Sequence, residues 1–183
     1  MVSELSYNYT QSREMLRRSL EIRHRVLGAD HLETNGTKTN LASVAAAQGD
    51  YERALALFKE AEESSAHHSS EQDRRLASCR SAANYGRCFT QLGQFADARS
   101  SLIQSRKLLS SGTDNPLYRR AIMYCFGNLA LAEQNFEEAR ANYKDCLNGF
   151  GKEIVEKNHL MTCGCHYKLA QVEVSLGNDT EAL

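Results

Sequence analysis

The chain repeats itself with a period near 42 residues, and that periodicity limits what it can fold into. A glycine or polar turn residue is followed two positions on by an aromatic, then an alanine, a bulky residue and a small one. The copies are Gly49-Asp50-Tyr51 with Ala54, Phe58 and Ala61; Gly93-Gln94-Phe95 with Ala98, Leu102 and Ser105; and Gln134-Asn135-Phe136 with Ala139, Tyr143 and Cys146. A fourth opens at Gly177 and reaches Ala182. From Ala54 through Ala98 and Ala139 to Ala182 the steps are 44, 41 and 43, and Leu32, Leu76, Leu117 and Leu160 keep the same steps. Nine residues after each of those leucines stands Leu41, Tyr85, Phe126 or Leu169. Upstream, Tyr9, Ser12, Leu16 and Ser19 sit 42 residues before Tyr51, Ala54, Phe58 and Ala61. One such unit cannot hide its own apolar surface and must stack on its neighbours.

Both halves of the unit have helical and not alternating periodicity, so each repeat reads as two helices. One proline and no tryptophan in 183 residues agree with a helical chain. The breaks carry capping chemistry. Gly28 suits a helix end, Asp30 with Glu33 reads as a capping box, and Asn115 before Pro116 starts another helix. Ser64 to Ser70, with His67 and His68, reads as a polar connector. The expected division is residues 1–29 as a half repeat, 30–66, 67–111 and 112–151 as full repeats, and 152–183 as a truncated one, together forming a single solenoid. Because the sequence opens and closes inside a unit, uncovered apolar faces are expected, and with them self-association or membership of a longer chain.

These residues resemble the tetratricopeptide repeat, whose signature is a small-residue helix, a Gly-x-Tyr turn and an Ala-x-x-x-Phe-x-x-Ala second helix. The long period and the linker Val26-Leu27-Gly28-Ala29-Asp30-His31 are similar to the kinesin-light-chain subclass, with Asn115-Pro116 and Asn158-His159 as degenerate linker copies. The resemblance implies an all-α, right-handed superhelical solenoid of antiparallel helix pairs. It also implies a concave inner wall, made by the first helices, on which extended peptides dock.

Stepping two back, two on and five on from each bulky anchor gives the expected wall: Thr39, Ser43, Ala46; Ala83, Arg87, Thr90; Tyr124, Asn128, Leu131; and Tyr167, Gln171, Val174. Arg80 and Asn84 share the helix of Arg87. Guanidinium groups bind carboxylates through paired hydrogen bonds, and Asn and Gln amides can pair with peptide backbone. The candidate partner-binding residues are therefore Arg80, Asn84, Arg87, Tyr124, Asn128, Tyr167 and Gln171, and the matched guest is an extended acidic peptide. The carboxylate clamp used by related repeats for chaperone tails is not reproduced, since Thr39, Ser43 and Ala83 stand where Lys and Asn are needed.

Other chemistries find little support. Lys+Arg 22 against Asp+Glu 23 leaves a net charge of −1, so no global field draws the chain to nucleic acid or anionic lipid. No apolar run is long enough for a membrane span or a signal peptide, and the expected location is the cytoplasm with all six cysteines reduced. Cys163-Gly164-Cys165-His166 lacks the spacing and the second ligand pair of a structural zinc site. The six histidines form no catalytic constellation and no phosphate loop occurs. The reading is a non-catalytic protein-binding module without metal or cofactor. Its alternative is an effector-sensing or autoinhibitory repeat region of a larger signalling ATPase or transcription regulator. The register makes one direct demand. Ala98→Leu should lower stability by ~1–3 kcal/mol through overpacking, whereas Ala66→Leu should cost little; equal melting midpoints for the two variants would contradict it.

Overall fold

The computed structural model describes residues 2–66, 70–110, 115–148 and 160–177. Among these residues there are eight α-helices and no strand: α1 (Val2–Leu27), α2 (Leu32–Ala47), α3 (Tyr51–Ser65), α4 (Glu71–Gln91), α5 (Phe95–Ser110), α6 (Pro116–Ala132), α7 (Phe136–Asn148) and α8 (Leu160–Ser175). None is long and apolar enough to cross a membrane. Helices α2–α3, α4–α5 and α6–α7 form antiparallel pairs that stack in chain order, each second helix also packing on the first helix of the next pair. The architecture is a tetratricopeptide-like solenoid. The boundaries expected near residues 67, 111 and 151, the Asn158-His159 linker and the Asp179 to Ala182 segment fall outside the described residues.

The packing unit is a small residue facing a bulky one. Ala42 lies in one buried cluster with Phe58. In the next pair a Cβ placed on Gly86 would come within 2.5 Å of the Leu102 side chain, and one on Gly127 within 2.5 Å of the Tyr143 ring. Phe58, Leu102 and Tyr143 are all fully buried, each contributing roughly 1.5–3 kcal/mol of hydrophobic stabilisation. Ala54, Ala98 and Ala139 are fully buried too, as the repeat register requires. One turn away the pairs stay in step. Ser105 Oγ donates to the Cys79 carbonyl at 2.7 Å, and Cys146 Sγ lies 3.4 Å from the Arg120 carbonyl.

The turns repeat in backbone conformation as well as in sequence. Gly49, Gly93, Gln134 and Gly177 all have positive φ (83°, 73°, 60° and 77°) at the same 44, 41 and 43 spacing. In the first three turns the next residue donates its N–H back to the helix, from Asp50 to Ala45, Gln94 to Phe89 and Asn135 to Ala130, closing the end of the first helix. Asp50 and Asn135 then cap the second helices through Arg53 N–H and Glu138 N–H.

Other caps match the sequence or correct it. Gly28 ends α1 with φ 95°, and the Asn115 side chain accepts from Leu117 and Tyr118 N–H ahead of Pro116. Asp30 does not cap α2: His31 takes that place, its Nδ1 accepting from Glu33 N–H at 3.2 Å. Asp30 instead offers its carbonyl to the Asn35 amide. The Ser64 to Ser70 connector is also shorter than expected, because Ser64 and Ser65 remain helical and Ser70 caps α4 through Asp73 N–H.

Ion pairs link successive units. Arg99 on α5 binds Glu138 on α7 at 3.0 Å and also pairs with Glu133 at the end of α6. One period later, Arg140 on α7 reaches Glu173 on α8 at 3.5 Å. On α1, Met15, Ile22 and Val26 present exposed apolar side chains along one face.

Gln134 holds a left-handed conformation that costs an L side chain ~1–2 kcal/mol. Gln134→Gly should relieve it, and after the added unfolded-state entropy raise stability by about 0.5–1 kcal/mol in urea unfolding. A loss of stability would show that the side chain, and not the turn, is what that position requires.

Candidate functional site: the inner wall

The first helices supply one face of the stack, and two adjoining cavities open on it. The more apolar one, about 410 Å³, is lined by Arg80, Ala83, Asn84 and Arg87 on α4, residues of α6 between Tyr118 and Cys125, and Met161 on α8. The α4 residues fall at i, i+3, i+4 and i+7, so one helical stripe forms that wall. The second cavity, about 360 Å³, lies toward α2 and shares Arg80 and Tyr118 with the first. Its lining is more evenly charged, with Arg23 and Arg80 against Glu33 and Asp73. Arg23 is already engaged, bound to Glu33 at 3.0 Å and to Thr37 Oγ1 at 2.7 Å.

Among the described residues, the apolar cavity is lined by two arginines and no carboxylate. Arg87 is half-buried, and its Nη2 is fully buried with no hydrogen-bond acceptor among the described residues. An unsatisfied buried donor of this kind costs on the order of 1–3 kcal/mol, more when charged, until an acceptor reaches it. Cys125 is the thiol in the cavity. Burial pushes it up to about 11, opposed by the neighbouring Arg87 charge, so it stays protonated at neutral pH and is a packing surface and not a nucleophile.

Four of the seven expected partner-binding residues, Arg80, Asn84, Arg87 and Tyr124, line this cavity. The other three lie apart from it. Asn128 accepts the Tyr143 hydroxyl proton at 2.8 Å and so secures its own helix pair. Tyr167 and Gln171 are exposed on α8 and hydrogen-bond to each other at 3.3 Å. Two residues of the expected wall are buried: Thr39 and Thr90 turn back to the carbonyls of Asn35 and Gly86. Sequence reasoning missed Tyr118, Ala121 and Met161. Ala121 lies five residues before the Phe126 anchor, the spacing by which Arg80 precedes Tyr85, and that parallel could have found it; Tyr118 lies a further turn back on the same helix.

Fold and wall together define the class: a helical-repeat solenoid with cavities along the face of its first helices. Residues 7–66 match the family model of the tetratricopeptide repeat. The nearly identical TPR-like repeats described as a kinesin light chain of Podosopora anserina share the fold in two solved forms. A single-substitution variant gives a TM-score of 0.58 at 19% identity, over 97% of this chain and 83% of that one. The unsubstituted protein gives 0.57 at the same identity and coverage. BtubC (BKLC) from P. vanneervenii gives 0.53 at 13% identity, over 95% and 86% of the two chains. No curated protein matches the sequence. The chain thus has the fold of a tetratricopeptide solenoid, similar to that of these kinesin-light-chain-like repeats. Repeats of this class generally mediate protein–protein interaction.

The thiols differ sharply in access. Cys163 is exposed, Cys125 is intermediate, and Cys79, Cys88, Cys146 and Cys165 are buried. Burial also raises Cys79 and Cys88. Iodoacetamide at mildly alkaline pH should therefore label Cys163 well before the others, as read by peptide mass spectrometry; early labelling of Cys79 or Cys88 would contradict the packing.

Proposed function

We propose that this chain is a non-catalytic interaction module whose inner wall takes an extended acidic segment of a protein partner. The observation that carries the reading is the buried Arg87 Nη2, without an acceptor among the described residues, beside an apolar cavity whose described lining contains no carboxylate. A partner carboxylate would give that nitrogen a charge-assisted bond, and Arg80, about two helical turns away, would add a second. The apolar α6 face would bury the side chain next to the carboxylate, and Asn84 would pair with peptide backbone. Asn128, Tyr167 and Gln171 then have smaller roles than the arginines, the last two at the far end of the wall.

A small carboxylate effector is the second reading, favoured by the cavity size, which lies within the range of small-molecule sites. One experiment separates the two. Titration calorimetry compares decapeptides alternating Glu and Leu with their Lys–Leu counterparts and with a short-chain fatty acid. The peptide reading expects the acidic decapeptides alone to bind, Arg87→Gln to weaken them by about 1–2 kcal/mol, and added salt to weaken them further. Lys107→Glu, an exposed change on α5, serves as control. Equal affinities for Arg87→Gln and the parent, with unchanged circular dichroism, would place binding elsewhere.

A further inference from the structure

Two thiols from different helices meet in the last described layer of the solenoid. Cys146 on α7 and Cys165 on α8 are both fully buried, with their Sγ atoms 3.4 Å apart. Cys146 fills the position held by Ala61 and Ser105 in the other repeats, so packing there needs only a small residue and not a thiol. Cys79, by comparison, spends its Sγ on Ser105. A disulfide requires sulfurs about 2.05 Å apart, so a closure of about 1.4 Å would join Cys146 to Cys165. Arg120, only 7% exposed, lies close enough to Cys146 for its charge to oppose, without overcoming, the upward push of the shared hydrogen bond and of burial.

We propose that Cys146 and Cys165 form a dithiol site that takes a hydroperoxide as oxidant and closes to a disulfide, tying α8 to α7. The pair shares one hydrogen bond. That bond pulls Cys165 down, easing loss of one proton, while the same bond and burial push Cys146 up and oppose loss of a second. A single thiolate next to a thiol suits a two-step oxidation. The Cys165 thiolate attacks one peroxide oxygen, the O–O bond breaks, and with one proton the leaving group departs as water (or alcohol), leaving a sulfenic acid. Cys146 then attacks that sulfur and expels water, its own proton completing the balance. In sum, two thiols and one hydrogen peroxide give one disulfide and two waters. Because both sulfurs are fully buried, α8 must part from α7 far enough to admit hydrogen peroxide. Neither sulfur lines the inner-wall cavity, although Tyr124 and Met161, which do, pack against the same buried cluster. In reducing surroundings the two thiols remain free, as sequence composition leads one to expect.

The test uses the whole chain, reduced, then treated with stoichiometric hydrogen peroxide, blocked with iodoacetamide and digested for mass spectrometry. The expected product has lost two hydrogen masses, carries a Cys146–Cys165 cross-linked peptide, melts at a higher Tm than the reduced form, and reverts with dithiothreitol. Cys163→Ser, which removes the exposed thiol, should cross-link as well as the parent. Cys146→Ser, which copies the side chain that Ser105 places at the same repeat position, should fold and lose the cross-link. Oxygen addition at Cys163 without a cross-link would overturn the proposal. So would a cross-link that disappears in Cys163→Ser, or an unchanged loss of two hydrogens in Cys146→Ser.

Discussion

Everything in this solenoid depends on a close approach between helices, made where a small residue on the first helix of a pair lies under a large side chain of the second. Gly86 beneath Leu102 and Gly127 beneath Tyr143 leave no room for a methyl group, and Ala42 serves with Phe58 in the same way. Protein interiors are close-packed and transmit displacement, so this contact sets how near the two helices lie and hence how the next pair stacks. The positive-φ turns contribute the reversal, and Arg99 and Arg140 add polar links between units. These links are partly exposed and secondary to burial.

The inner wall follows from that spacing. Second helices use their small and bulky residues for packing, which leaves a stripe of each first helix facing the concavity. On α4 the stripe is Arg80, Ala83, Asn84 and Arg87, and a charged nitrogen ends up buried without an acceptor among the described residues. A fold under selection for stability alone has no use for that arrangement. Under the proposed function, a partner's carboxylate supplies the missing acceptor.

The fold was legible because periodicity is a property of sequence: Ala54, Ala98 and Ala139, and the glycines at 49 and 93, mark the same structural place each time. Gln134 shows that the register survives loss of the glycine, since the turn keeps its φ. Local capping was less legible. Asp30 and His31 are both able to accept from a free N–H, and only the path of the chain out of Gly28 decides that His31 does. The wall was half legible. Counting from the anchor located Arg87 and Tyr124, but Thr39 and Thr90 return their hydroxyls to their own helices, and Asn128 is claimed by Tyr143. Meetings between residues of different repeats, Met161 lining the same cavity as α4 or Cys146 against Cys165, were not read from the sequence.

The central claim is that repeat packing presents Arg87 to a partner's carboxylate. Its most direct measurement is NMR of protein carrying ¹⁵N-labelled arginine, following side-chain N–H signals as an acidic peptide is added. The account predicts a large shift and slowed solvent exchange at Arg87, a smaller change at Arg80, and none at Arg106 on α5. A peptide that binds while Arg87 stays unperturbed and signals on α5 or α7 move would contradict it.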